Sequence, residues 1–190
     1  LLERFYECKV GKIEINQVPI NKYSASDLRN NIVYMPKKPF FLQGTIMDNL
    51  KLGQNEISDL EVIEVCKKVG IHSDIQKLEK GYYELIESGG ENFSSGQKQK
   101  LGFVRVLLKK ADIVLLDEVT SDLDGEAERQ ICNQIEEIAK KAIVLNIAHK
   151  PESIRRSKKV FFIQGGKIVA EGTHKALMKN CVDYKKIFAN

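Results

Sequence analysis

The stretch Ile113-Val114-Leu115-Leu116-Asp117-Glu118 decides the fold class of this 190-residue chain. Consecutive branched apolar residues that end in acid are typical of a strand buried on both faces of a parallel sheet. Ligands bind at the carboxyl ends of such strands, so the two carboxylates are candidate site residues. One could hold Mg²⁺ through water, and the other could accept a proton from an attacking water. Alternatively, the strand simply ends in a loop here.

Further strand and helix patterns lie on both sides of this stretch. The apolar run Ile32–Met35 ends at Pro36 and predicts a second buried strand, and another apolar run covers 142–148. The region 49–108 is helical in pattern and predicts an inserted α-helical subdomain. Gly165-Gly166 separates two apolar segments and predicts a β-hairpin. Together these patterns predict an α/β fold with a mainly parallel sheet.

The two ends of the chain carry weaker patterns. Lys12–Asn16 alternates between polar and apolar residues, which predicts a strand with one exposed face. The segment 176–188 has a helical pattern.

Composition is that of a globular chain and excludes several classes of protein. Hydrophobic residues make up 43% and charged residues 29%, which argues against disorder and fibres. No apolar run approaches the roughly 18 residues that a membrane span needs. The net charge of +4 is spread as scattered basic pairs, so no nucleic-acid partner is expected. The cysteines lie far apart and predict reduced, mostly buried thiols of a cytosolic protein, at Cys8, Cys66, Cys132 and Cys181.

Two other segments contain groups that could bind phosphate. Ser94-Ser95-Gly96-Gln97 begins a predicted helix, where hydroxyls and free N–H groups form an anion site. The alternative is an ordinary N-cap. His149 follows the apolar run 142–148, at another strand end, where it could donate to a phosphate oxygen. A structural role for this histidine is the alternative.

The order and spacing of these segments resemble the nucleotide-binding domain of ABC transporters of the exporter type. The resemblance extends over nearly all 190 residues and implies a P-loop NTPase-type core with ATP and Mg as cofactors. The matching segments are 93–100 (signature), Asp117-Glu118 (end of Walker B), 120–124 (D-loop), His149 (switch histidine), 39–50 (after the Q-loop) and 166–174 (C-terminal hairpin).

The resemblance also implies a role for each candidate residue. Asp117 would hold Mg²⁺ through water, Glu118 would polarise the attacking water, and His149 would contact the γ-phosphate. The signature residues Ser94, Ser95, Gly96 and Gln97 would bind ATP held by a second cassette, with Ser94 and Gly96 on its γ-phosphate. Ser121 and Asp124 of the D-loop would lie at the seam between the two cassettes.

Domain organisation and partners follow from the same likeness. Residues 1–48 would form part of the ATPase core, 49–110 the α-helical subdomain that ends in the signature helix, and 111–190 the rest of the core with the hairpin and final helix. The expected partners are a transmembrane domain, whose coupling helices would dock in a groove lined by 39–50, and a second nucleotide-binding domain. The expected location is the cytoplasmic face of the cell membrane.

Two departures from the family pattern bear on activity. No G-x-x-x-x-G-K-[ST] motif occurs, the chain does not begin with Met, and Leu1–Tyr6 resembles the end of the helix that follows this loop. We therefore expect the P-loop upstream of residue 1 and no hydrolysis by the 190 residues alone. Lys37 stands at the Q-loop position, where the family has Gln. A cation there is unfavourable beside Mg²⁺ unless it pairs with phosphate or a carboxylate, so we expect weakened catalysis.

Three functions remain compatible with the residues. The motor domain of an exporter is favoured by the segments 44–46 and 172–174, which match the exporter pattern. A soluble ABC-type ATPase of translation or chromosome maintenance shares the signature and Walker B. A degenerate, non-catalytic cassette would only lend its signature segment to a partner site. The residues leave the transported substrate open, as well as the choice between homodimer and heterodimer.

Overall fold

The computed structural model describes residues 1–188 of the chain. Within these residues the strands are β1 (Glu14–Ile15), β2 (Val18–Pro19), β3 (Ile32–Met35), β4 (Gly44–Thr45), β5 (Leu85–Ile86), β6 (Ile113–Asp117), β7 (Ile143–Ile147), β8 (Val160–Gln164) and β9 (Lys167–Gly172). The α-helices are α1 (Ala25–Asn31), α2 (Ile46–Lys51), α3 (Asp59–Val69), α4 (His72–Gln76), α5 (Ser95–Lys109), α6 (Gly125–Ile138), α7 (Pro151–Arg155), α8 (His174–Asn180) and α9 (Val182–Phe188).

A parallel sheet of β3, β6 and β7 forms the centre of the fold, with β6 in the middle. Leu115 of β6 pairs with Tyr34 on one side and with Leu145 on the other. The register brings the carboxyl ends of all three strands to one edge of the sheet. The predicted α/β fold with a parallel sheet is confirmed.

One face of this sheet is covered by helices and carries most of the core. Val114 and Leu116 of β6 are buried there, together with Leu101 and Val104 of α5. The other face is more open within the described residues, because Ile143, Leu145 and Ile147 of β7 are exposed. The apolar run 142–148 is therefore a strand buried mainly on one face.

The helices α2 to α5 form most of the region between β3 and β6, as the sequence predicts. Ser58 caps α3 by accepting a hydrogen bond from the backbone N–H of Glu61, and Gly70 ends it with a φ of +74°. Only glycine adopts this left-handed conformation without strain, which explains the end of the helix there. β4 and β5 pair as a short antiparallel ribbon beside these helices.

The C-terminal part contains the predicted hairpin and two helices. β8 and β9 are antiparallel, and Gly165 and Gly166 join them with φ values of +56° and +74°. Two consecutive positive φ angles suit the turn that matches strand twist. The helix predicted over 176–188 is two helices, α8 and α9, divided at Cys181, whose extended backbone interrupts the helix. The last two residues of the predicted segment 111–190 lie outside the described residues.

The N-terminal part departs from the sequence prediction in two places. The strand predicted over Lys12–Asn16 is only the two residues of β1, because Asn16 and Gln17 adopt positive φ angles and turn the chain into β2. Leu1–Tyr6 has turns and bends instead of a helix end.

The cysteines follow the prediction in part. Cys66 and Cys132 are buried and Cys181 is half-buried, but Cys8 is exposed. All four are free thiols. Among the described helices, none is both long and apolar enough to cross a membrane.

Candidate functional site

Three predicted site residues meet at the carboxyl edge of the parallel sheet. Glu118 follows β6, Lys37 follows β3, and His149 follows β7. The Lys37 ammonium lies 2.6 Å from Glu118 Oε2, and His149 Nε2 lies 2.9 Å from Glu118 Oε1. The contact with His149 is an ion pair when the imidazole is protonated. The structure therefore places the carboxylate of Glu118 between two nitrogen groups, one at each oxygen.

The backbone of Glu118 is held in an unusual conformation. Its φ is +51°, a region that side chains other than glycine, asparagine and aspartate seldom adopt. Its N–H donates to the carbonyl of Ile147 at 2.9 Å, and its carbonyl accepts from the N–H of Ser121 at 3.0 Å. These bonds hold the backbone of Glu118 at the sheet edge, and a strained backbone conformation of this kind is common at functional sites.

The ion pair changes the proton affinity of both partners. The hydrogen bond from Lys37 is the largest cause that lowers the pKa of Glu118, with smaller contributions from the charges of Lys37 and His149. The pKa of Lys37 is raised, first by its hydrogen bond with Glu118 and then by charge, with smaller contributions from Asp122 and Asp117. Near neutral pH the glutamate is therefore anionic and the lysine cationic.

Asp117 is the last residue of β6 and lies beside this group. The hydroxyl of Tyr34 donates to Asp117 Oδ2 at 3.3 Å. Partial burial, followed by the charge of Asp117, raises the pKa of Tyr34. Among the described residues no three His, Cys, Asp or Glu side chains cluster as a metal cage. A single carboxylate fits Mg²⁺, which keeps much of its water and takes phosphate oxygens as further ligands.

The signature segment begins α5 through a capping box. Ser94 Oγ accepts from the N–H of Gln97 at 3.2 Å, and Gln97 Oε1 accepts from the N–H of Ser94 at 3.0 Å. The N-cap interpretation is therefore correct for Ser94, while Ser94 and Ser95 remain exposed at the start of this 15-residue helix. Gly96 lies close to the D-loop, since a Cβ atom there would be 3.2 Å from the carbonyl oxygen of Asp122.

The signature segment makes no hydrogen bond to Lys37, Glu118 or His149 within the described residues, but Gln99 connects it to the D-loop. The buried amide of Gln99 donates to Ser121 Oγ at 2.9 Å and accepts from the N–H of Asp122 at 3.1 Å. Sequence reasoning missed this residue. The sequence did contain a signal for it. Gln99 lies four positions before the apolar Phe103 and therefore on the same, buried face of the predicted helix.

Lys150 also binds the D-loop, and sequence reasoning missed this residue as well. Its ammonium donates to the carbonyl of Leu123 at 2.8 Å and lies 3.7 Å from Glu128 Oε2. Asp124 caps α6 by accepting from the N–H of Ala127 at 2.9 Å, and this bond lowers the pKa of Asp124. The D-loop is thus tied to the signature helix and to the residue after His149.

The segment 39–50 is held by Arg105 of α5. The guanidinium donates to the carbonyl of Asn49 at 2.8 Å, to Asn49 Oδ1 at 2.9 Å and to the carbonyl of Phe40. It also lies 4.4 Å from the ring centre of Phe41. Burial lowers the pKa of Arg105 to about 10, so the group stays charged at neutral pH. Phe40 and Leu42 remain 67% and 54% exposed on this ordered segment.

Comparison with known proteins adds independent observations. A family model described as ABC transporter matches residues 1–121. ABC multidrug transporter MDR2 of Trichophyton rubrum is 37% identical over 188 residues, which are 97% of this chain and 14% of that protein. A Rickettsia typhi protein whose name includes "export ATP-binding/permease protein" is 38% identical over 187 residues, 98% of this chain and 32% of that protein. The chain therefore spans a third or less of these relatives.

A solved structure agrees with these matches. A bacterial Atm1-family ABC exporter with ATP bound superposes with a TM-score of 0.94 at 28% sequence identity. The match covers 99% of this chain and 33% of the other.

Proposed function

The chain belongs to the ABC transporter family, and we propose that it is the ATP-binding cassette of a membrane exporter at the cytoplasmic face of the cell membrane. The observation that carries this proposal is the meeting of Glu118 and His149 beside Asp117 at the carboxyl edge of the parallel sheet. Charged and polar groups at this edge suit phosphoryl transfer, which depends mainly on positioning and charge neutralisation.

In the proposed reaction each residue at the sheet edge has one task. Glu118 accepts the proton of the attacking water, and its hydrogen-bonded backbone keeps the residue at the sheet edge. His149 donates to an oxygen of the γ-phosphate. Asp117 would hold Mg²⁺ through water, and the ion would neutralise phosphate charge. Coupling of ATP binding and hydrolysis to export would be the work of the complete transporter.

We propose that a second cassette completes the nucleotide site. Ser94, Ser95, Gly96 and Gln97 would bind the ATP of that cassette, with support from the exposure of both serines at the N-terminus of α5. Ser121 and Asp124 would lie at the seam. The bonds of Gln99 and Lys150 to the D-loop support a fixed geometry there.

A transmembrane domain is the other proposed partner. Its coupling helices would dock on the segment 39–50, where Phe40 and Leu42 offer exposed apolar surface on an ordered backbone. In this arrangement 1–48 and 111–190 form the ATPase core and 49–110 the α-helical subdomain.

The 190 residues contain no Walker A motif, so we propose that they neither bind ATP normally nor hydrolyse it alone. A degenerate cassette that lends only its signature segment is the second candidate. The short contact between Lys37 and the base Glu118 favours it, because a paired carboxylate is a poor proton acceptor.

One substitution in the intact transporter tests the proposal. Loss of a general base costs roughly 10²–10⁴-fold in rate, so Glu118→Gln should lower ATP hydrolysis at least about 100-fold while ATP binding persists. Glu137→Gln, at an exposed glutamate of α6, is the matched control and should leave hydrolysis unchanged. Equal rates for wild type and Glu118→Gln would instead establish the degenerate cassette.

A further inference from the structure

Both oxygens of the Glu118 carboxylate are already engaged in this structure. Lys37 Nζ lies 2.6 Å from Oε2, and His149 Nε2 lies 2.9 Å from Oε1. A water molecule that is to lose its proton to this carboxylate must come within hydrogen-bond distance of one oxygen. The contact with Lys37 is the shorter of the two and involves a full positive charge, so it opposes the approach more strongly.

The backbone of Lys37 is held where its side chain reaches Glu118. Pro36 and Pro39 stand on either side of Lys37-Lys38, and each has its own φ fixed by its ring, while Pro39 also restricts the backbone of Lys38. The ring of Pro39 packs on α5 at Gly102, where an added Cβ would lie only 2.6 Å from Pro39 Cγ. The next carbonyl, that of Phe40, accepts from Arg105. The lysine therefore starts from a fixed point, and only its side chain is free to move.

The side chain of Glu118 is also restricted. It is 20% exposed, whereas that of Lys37 is 50% exposed. Because the Glu118 carboxylate is partly covered and its backbone is constrained, it has few other positions in which it would not contact Lys37. The contact thus differs from a surface ion pair between two mobile side chains, which contributes little.

We propose that Lys37 is an inhibitory positioning residue, which shields the Glu118 carboxylate from water and makes this cassette hydrolyse ATP slowly. The inference rests on the proposed function, in which Glu118 is the general base. Lys37 contacts the carboxylate of Glu118, and in this proposal it acts through that residue. Hydrolysis accelerates when the Lys37 side chain turns away from the end of β6 and the ion pair opens.

Kinetics of the intact transporter provide the first test. A general base contributes roughly 10²–10⁴-fold, so freeing Glu118 in Lys37→Gln should raise kcat by about tenfold. The KM for ATP should stay within about twofold, because ground-state binding is not changed. Lys37→Arg keeps the charge and should remain slow. Lys38→Gln is the matched control, since Lys38 is the adjacent exposed lysine and makes no ion pair within the described residues.

An NMR measurement without nucleotide tests the contact between Lys37 and Glu118 directly. In the 190-residue chain, the ¹³C carboxyl resonance of Glu118 should move in Lys37→Gln and stay in place in Lys38→Gln. An unchanged resonance in both variants would mean that the ion pair does not exist in solution, and the inference would be overturned.

The outcomes separate this inference from the proposed function. If Lys37→Gln lowers kcat and Glu118→Gln also abolishes hydrolysis, the lysine assists catalysis and only the inference fails. If Glu118→Gln leaves hydrolysis intact, Glu118 is not the base and the proposed function fails as well. The inference would also be overturned if Lys37→Gln raises kcat and the increase persists in the double variant with Glu118→Gln. The lysine would then act through a group other than Glu118.

Discussion

The side-chain amide of Gln99 in α5 lies 2.9 Å from the hydroxyl of Ser121 in the D-loop, and this bond joins the signature helix to the sheet edge. The same side chain accepts a hydrogen bond from the N–H of Asp122. Gln99 is almost fully buried, so neither bond is easily replaced by water. Gln99 therefore holds Ser121 and Asp122 of the D-loop against α5.

Replacement of Gln99 should destabilise the chain measurably. In Gln99→Leu the Ser121 hydroxyl and the Asp122 N–H lose their partner, and the free energy of unfolding should fall by about 2 kcal/mol. Urea denaturation measures the change. Gln134→Leu is the control, because Gln134 lies in α6 and has no side-chain hydrogen bond within the described residues. Similar losses in both variants would argue against the role of the Gln99 bonds.

Arg105 should not tolerate replacement by lysine. A single ammonium does not reproduce the fork that bonds to the carbonyls of Phe40 and Asn49 and to Asn49 Oδ1. Buried hydrogen bonds of charged groups contribute about 1.5–3 kcal/mol, so Arg105→Lys should lower the unfolding free energy by about 3 kcal/mol.

Hydrogen exchange locates this effect in the chain. The Leu42 N–H donates to Asn49 Oδ1 at 2.9 Å and should exchange faster in Arg105→Lys, because Asn49 loses its support. The control is Arg155→Lys at an exposed arginine, which should change neither stability nor exchange. Normal protection of Leu42 in Arg105→Lys would mean that Asn49 is held by other contacts.

Two glycine-to-alanine changes should have opposite results. Alanine is ordinarily favoured over glycine within a helix by about 1 kcal/mol. At Gly102, however, the new Cβ would overlap the Pro39 ring, with a separation of 2.6 Å from Cγ. We expect Gly102→Ala to destabilise by about 1–3 kcal/mol, as overpacking does.

Gly125 provides the comparison for that prediction. It is the first residue of α6, and apart from its chain neighbours and the backbone of its own helix no heavy atom lies within 4 Å of the position that a Cβ would take. Gly125→Ala should leave the unfolding free energy unchanged or raise it by up to about 1 kcal/mol. Thermal denaturation of Gly102→Ala and Gly125→Ala measures both changes in stability. Equal stability of the two variants would show that the segment around Pro39 can shift away from α5 and make room for the new Cβ at position 102.

The thiols should react in the order of their exposure. Cys8 is exposed and should be modified first, while buried Cys66 and Cys132 should react only after unfolding. Burial raises the pKa of Cys66 to about 11, against a smaller opposing hydrogen bond with Tyr82, and burial also raises the pKa of Cys132. At about pH 8 only about one Cys66 in a thousand is thiolate.

Reaction with a chromogenic disulfide, with and without denaturant, measures this order. Cys8→Ser should remove the fast phase and leave the slow ones. Rapid modification of Cys66 in the folded chain would contradict the burial seen in the structure.

Local features of this protein were predictable from the sequence because their causes are local. The buried strand at Ile113–Asp117 follows from the apolar run that ends in acid. The hairpin at Gly165 and Gly166 follows from the positive φ angles that its turn requires. The resemblance to family segments likewise pointed to Glu118 and His149 as candidate site residues, since a motif is read along the chain.

Contacts between distant segments were decided by the tertiary structure alone. Lys37 needed a negative partner, and the sequence left phosphate and carboxylate equally open. The parallel register of β3 and β6 brings Met35 opposite Leu116, so the next residues emerge at one edge and Lys37 meets Glu118. Gln99 and Arg105 likewise take their partners from segments more than twenty positions away. Periodicity reports which face of an element is buried, but only packing determines which groups meet there.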